Sequence, residues 1–133
     1  MIQTRPGPPF LHAANRLRTV ASILISEVEP DVRRLLAVMV TRLGHDAVVL
    51  ERDVAVPPRG DLLLVEPASR QGLRHARVLR AFFPELPLVC LSSLPEDAGL
   101  AGGGRVTFLP KPFTLDRLQA ALEAALEITG SPV

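Results

Sequence analysis

Two kinds of segment alternate along the chain from Val20 onward. Ser22-Ile-Leu-Ile25, Ala47-Val-Val-Leu50, Asp61-Leu-Leu-Leu-Val65, Pro87-Leu-Val-Cys-Leu91 and Val106-Thr-Phe-Leu109 are short apolar runs. Their length and branched-residue content predict strands buried on both faces, as in a parallel sheet. Between them lie patterns of helical period. Val32, Leu35, Leu36, Met39, Val40 and Leu43 form a continuous apolar stripe that Gly44 ends. Gln71–Phe83 predicts a second helix, with Leu73, Ala76, Leu79 and Phe83 turned inward. Leu115, Leu118, Leu122, Ala125 and Leu126 repeat the spacing, with Thr114 as N-cap and Gly130 beyond the end. Strand–helix alternation with five strands predicts a doubly wound α/β sandwich, whose sites lie at the carboxyl ends of the strands. Those ends carry Ser26–Glu29, Glu66 and Pro67, Ser92 and Ser93, and Pro110–Pro112.

Two connections are thin for such a scheme. Residues 51–60 hold Pro57 and Pro58, so at most one helical turn fits before the third strand. Residues 94–105 hold Pro95, Gly99 and the run Gly102-Gly103-Gly104, which predicts a short or frayed helix. Residues 1–19 form a proline-containing extension ahead of a domain over 20–130. The ordinary reading of that extension is a loose tail; the alternative is a docking arm built on Phe10, Leu11 and Leu17.

Composition narrows the function classes. The chain has 133 residues, 47% hydrophobic and 22% charged, enough for one domain with a real core. A net charge of +1 argues against a dedicated nucleic-acid binder. The single cysteine, Cys90, rules out a disulfide framework and is read as a small buried hydrophobe. His12, His45 and His75 do not fall at metal-ligand spacing. Neither a signal-peptide pattern nor a run of transmembrane length is present, so a cytoplasmic protein away from the membrane is expected. Of the 15 basic residues, Lys111 alone is a lysine.

At the strand ends the sequence resembles a family. Residues Ser22–Leu36, reading SILISEVEPDVRRLL, resemble the opening of bacterial response-regulator receiver (CheY-like) domains. Asp61–Glu66 resembles their third strand, Leu91-Ser-Ser93 the end of their fourth, and Phe108-Leu-Pro-Lys-Pro-Phe113 their fifth strand and Lys-Pro turn. The resemblance covers about residues 20–128, with the motifs in family order. It implies a flavodoxin-like, five-stranded parallel sheet, here with short or frayed second and fourth helices. It also implies a part in two-component (phosphorelay) signalling. In that family an aspartate closing the third strand accepts a phosphoryl group from a histidine kinase. An acidic pair after the first strand helps hold magnesium, and a hydroxyl and a lysine contact the transferred group.

Carried over residue by residue, the acidic pair falls on Glu27 and Val28, the phosphoacceptor on Glu66 and the hydroxyl on Ser92. The lysine falls on Lys111 and the switch aromatic on Phe108. Val28 and Glu66 depart from the pattern. Valine offers magnesium no oxygen ligand. Glutamate's extra methylene shifts its carboxylate by roughly 1.5 Å, and a misplacement of about 1 Å can cost on the order of a hundredfold in rate. The longer arm also brings Glu66 towards Lys111. The expectation is a pseudo-receiver, no enzyme, with a degenerate site, weak or absent magnesium binding and no cofactor. It would act by phosphorylation-independent contact with a protein partner such as a histidine kinase or an output domain, or through a homodimer. The alternatives are a working phosphoacceptor with unusual residues, two inert acids in a decayed site, and a flavodoxin-like cofactor binder. The acidic Ser26-Glu-Val-Glu-Pro30 loop disfavours the last. Arg70, Arg74, Arg77 and Arg80 recur at helical spacing. They predict a solvated face or a docking strip for an acidic partner.

Overall fold

The computed structural model describes residues 20–91 and 105–130. Five strands, β1 (Ser22–Ser26), β2 (Asp46–Val49), β3 (Leu62–Val65), β4 (Leu88–Cys90) and β5 (Val106–Phe108), pair in parallel in the order β2-β1-β3-β4-β5. Helices α1 (Pro30–Arg42), α2 (Arg70–Phe82) and α3 (Leu115–Gly130) follow β1, β3 and β5. The chain leaves β1 for the β2 edge and returns to β3 on the other side. A topological switch point therefore opens at the carboxyl ends of β1 and β3.

The apolar runs split between two cores because successive strand side chains face opposite ways. Ile23, Ile25, Leu62, Leu64, Val89 and Leu91 pack with Leu36 and Val40 of α1 and with Leu118, Leu122 and Ala125 of α3. Leu24, Leu63, Val65, Leu88 and Cys90 pack on the other face with Ala76 and Leu79 of α2. Cys90 is fully buried, as a small hydrophobe in an apolar strand should be.

Helix ends follow local chemistry. Pro30 opens α1 behind Glu29, whose carboxylate accepts the Asp31 N–H, and Gly44 closes it with φ of 93°. Ser69 caps α2 by accepting the Gly72 N–H at 2.8 Å. Thr114 caps α3 through the Arg117 N–H at 3.2 Å, and α3 runs through Gly130 rather than stopping before it.

Several expectations need correction. The edge strands are not buried on both faces: Ala47, Val48 and all of β5 are half-buried, and Val49 is exposed. An apolar run cannot distinguish an edge position from a central one. Leu35 is 54% exposed, because the buried stripe of α1 is narrower than its apolar one and centres on Leu36 and Val40. On α2 the buried set is Gly72, His75, Ala76 and Leu79, while Leu73 and Phe83 are half-buried. Residues 51–60 contain no helix at all, as the two prolines dictate. The extension at 1–19 and the crossover at 92–104 lie outside the described residues, so the short fourth helix does too. No helix of the described residues is long and apolar enough to cross a membrane.

Gly72 fixes how closely α2 approaches the sheet. A Cβ there would collide with the backbone carbonyl of Glu66, leaving no room for any side chain. Gly72→Ala should therefore displace the Glu66 turn and cost about 1–3 kcal/mol by overpacking. Urea unfolding of the variant reads this, and an unchanged midpoint would contradict the packing account.

Candidate functional site

The register of the central strands creates the site. Ser26 is level with Val65, and the Glu66 N–H donates to the Ser26 carbonyl at 3.1 Å. Glu27 and Glu66 thus leave adjacent strands side by side. The Leu109 N–H bonds the Cys90 carbonyl at 2.8 Å, and the following turn, with a cis Lys111–Pro112 peptide, carries Lys111 over the same sheet end.

Lys111 joins the two acids. Its Nζ donates to Glu66 Oε1 at 2.5 Å and to Glu27 Oε1 at 3.1 Å. The second oxygens are also used: Glu27 Oε2 accepts the Glu29 N–H at 3.1 Å, and Glu66 Oε2 accepts the Ala68 N–H at 2.9 Å. Side-chain exposure is 2% for Glu27, 13% for Glu66 and 35% for Lys111. Charges so nearly buried need partners, and each carboxylate has a cation and a backbone donor. Burial pulls the Lys111 pKa down. The hydrogen bonds it donates to Glu66 and then Glu27, with their charges, outweigh this and hold the ammonium above its ordinary value.

The donor set does not fit magnesium. Glu27 and Glu66 each direct one oxygen at an ammonium and the other at a backbone N–H. Val28, next to Glu27, is 45% exposed and has no oxygen to offer. Among the described residues no cluster of three or more metal-ligating side chains occurs.

The structure thus brings Glu27, Glu66 and Lys111 together and leaves Val28 at the rim. Phe108 is half-buried on β5 and packs against the α2-side core. Ser92 lies outside the described residues. Arg70, Arg74 and Arg77 are exposed along α2, but Arg80 departs from the expected strip. Its guanidinium donates to the carbonyls of Leu86 at 3.1 Å and Arg105 at 2.9 Å, tying α2 to the entries of β4 and β5. Desolvation is the main influence on it and lowers its pKa.

One group escaped the sequence reading. His75 is 1% exposed. Its Nδ1 is 2.6 Å from Ser26 Oγ, and its Nε2 is 3.0 Å from the Arg52 carbonyl. With Nε2–H donating to the carbonyl, Nδ1 accepts from the Ser26 hydroxyl, and all three groups are satisfied. The legible signal was its place on the stripe Gly72, His75, Ala76, Leu79.

No protein-family model matches the sequence. The DNA-binding transcriptional regulator NtrC of Azospirillum brasilense is 29% identical over 125 residues, covering 86% of this chain and 26% of NtrC. The crystal structure of NtrX from Brucella abortus in complex with ATP superposes with a TM-score of 0.71 at 30% identity, covering 84% of this chain and 28% of NtrX. The receiver domain of the sensor histidine kinase PA1611 from Pseudomonas aeruginosa, with magnesium coordinated in its active-site cleft, gives a TM-score of 0.66 at 23% identity. It covers 81% of this chain and 98% of that domain, a likeness of fold. The chain spans about a quarter of the length of the NtrC and NtrX relatives. Sheet order and helix placement are those of the receiver (CheY-like) fold, and these likenesses support a receiver domain.

Lys111→Met would leave the buried Glu27 with one backbone donor. It should destabilise the fold by about 1–3 kcal/mol at neutral pH, the usual range for a stranded polar group, and less when combined with Glu27→Gln; urea unfolding of the four proteins measures both. Because the folded-state pKa of Lys111 is raised, the cluster's contribution is complete below the ordinary lysine pKa. It is lost as pH climbs through the higher folded value. A titration of the lone lysine's side-chain signal by NMR checks the direction, and Glu66→Gln should bring that titration to lower pH.

Proposed function

We propose that this receiver-type domain signals without being phosphorylated, by contact with a protein partner. Glu66 stands where the receiver family has its phosphoacceptor aspartate, and its carboxylate is already joined to Lys111. That ion pair carries the reading. An incoming phosphoryl group needs a free nucleophilic carboxylate and cations to take up its spreading charge. Here the carboxylate is bound, the lysine is shared with Glu27, and Val28 removes an oxygen from the metal position.

In this reading the domain is a signalling module and catalyses no reaction of its own. Its partner is a histidine kinase or an output domain, approached without nucleic acid or membrane contact by the domain itself, and a homodimer is a second arrangement. Arg70, Arg74 and Arg77 offer an exposed strip of fork-shaped donors to acidic side chains of such a partner. Phe108 and Ser92 keep their family residue types in a site that no longer turns over.

Incubation with a small phosphodonor and magnesium, followed by intact-mass analysis, tests the proposal. The expected result is no added phosphoryl group; phosphate on Glu66 overturns it and favours the working-receiver alternative. Glu66→Asp combined with Val28→Asp should restore magnesium binding and phosphate uptake, both read on the same double variant.

A further inference from the structure

The helix-free crossover at 51–60 leaves a cavity of about 420 Å³ beside the carboxyl ends of β1 and β2, within the range of small-molecule sites. Its lining takes in the apolar Val28, Val49 and Leu50. It also takes in Arg33, Arg52, Gln71 and Glu51. Two arginines against one glutamate leave the lining with a net positive charge. Neither Arg33 nor Arg52 forms a salt bridge among the described residues.

The walls are anchored from behind. Arg33 donates to the Glu27 carbonyl at 3.3 Å, which ties it to the turn after β1. The main chain at Arg52 is held by buried His75, itself bonded to Ser26 at the end of β1. Val28 and Val49, both in the lining, are 45% and 41% exposed. Two arginines and two exposed valines lining one cavity match a ligand with an anionic head and an apolar body.

We propose that this cavity is a binding site for a small organic anion, a carboxylate or phosphate monoester with an apolar body. The head would pair with Arg52 and Arg33 and take a further hydrogen bond from Gln71, while the body would cover Val28, Val49 and Leu50. The site is separate from the Glu27–Lys111–Glu66 cluster, so it stands whether or not Glu66 accepts phosphate. Its position still makes it a lever on that cluster, because Arg33 grips the carbonyl of the same Glu27 whose carboxylate holds Lys111.

NMR titration of the whole chain with benzoate, phenyl phosphate and, as the neutral control, benzamide tests the site. Saturable shifts at the amides of Val28, Val49–Arg52 and Gln71 are expected for the anions. Dissociation constants of roughly 0.1–1 mM suit ligands of this size. Whichever of benzoate and phenyl phosphate binds more tightly identifies the head group. Arg52→Gln, an exposed substitution, should weaken binding by about tenfold or more through loss of a charge-assisted pair. Arg33→Gln should act in the same direction, and Arg117→Gln, exposed on α3 over the opposite sheet face, should leave binding unchanged. Absence of saturable shifts, equal binding of benzamide, or full retention by both Arg52→Gln and Arg33→Gln would each overturn the proposal.

Discussion

A single ammonium group on the turn after β5 holds together the carboxyl ends of two other strands. Lys111 reaches Glu27 after β1 and Glu66 after β3, so three separate stretches of chain converge on one charge. Two nearly buried carboxylates without that cation would face repulsion and desolvation together. Lysine suits the position because its donors radiate from one atom, whereas a guanidinium presents a planar fork that favours one carboxylate at a time. In a chain whose other basic residues are all arginine, the lone lysine falls where a compact, shareable charge is needed.

Among the described residues the two sheet faces are covered differently. On one face α1 and α3 cover the core from Leu36 to Ala125. On the other, α2 covers the centre while residues 51–60 pass the β2 edge without a helix. His75 compensates in part: from inside α2 it fastens that crossover at Arg52 and the end of β1 at Ser26. The cavity beside Val28 is what remains open, next to the turn that carries Glu27.

The turn at Glu66 lies close against α2. Ser69 donates to the Glu66 carbonyl through both its N–H, at 3.3 Å, and its hydroxyl, at 3.2 Å, and Gly72 lies directly against that carbonyl. The backbone of Glu66 is therefore fixed by α2, while its carboxylate is fixed by Lys111 and Ala68.

Much of the fold was legible in the sequence because it rests on local periodicity. The five apolar runs, the three helical stripes, the proline-blocked crossover, the Thr114 cap and the Gly44 stop depend on neighbours within a turn or a strand, and the chain states them directly. The approach of Glu66 to Lys111 was legible for another reason: strand ends and side-chain length bound where a carboxylate can reach. What the tertiary structure alone decided involves groups far apart in sequence. It decided that β2 and β5 are edges, that Leu35 faces solvent, and that Arg80 ties three elements together while Arg70, Arg74 and Arg77 stay exposed. It also decided that Glu27 shares the lysine 84 positions away and that His75 pairs with Ser26 across 49. A sequence records which residues can satisfy a buried charge or donor; only the packed chain selects the partner, because distance and desolvation are set jointly by every element around the site.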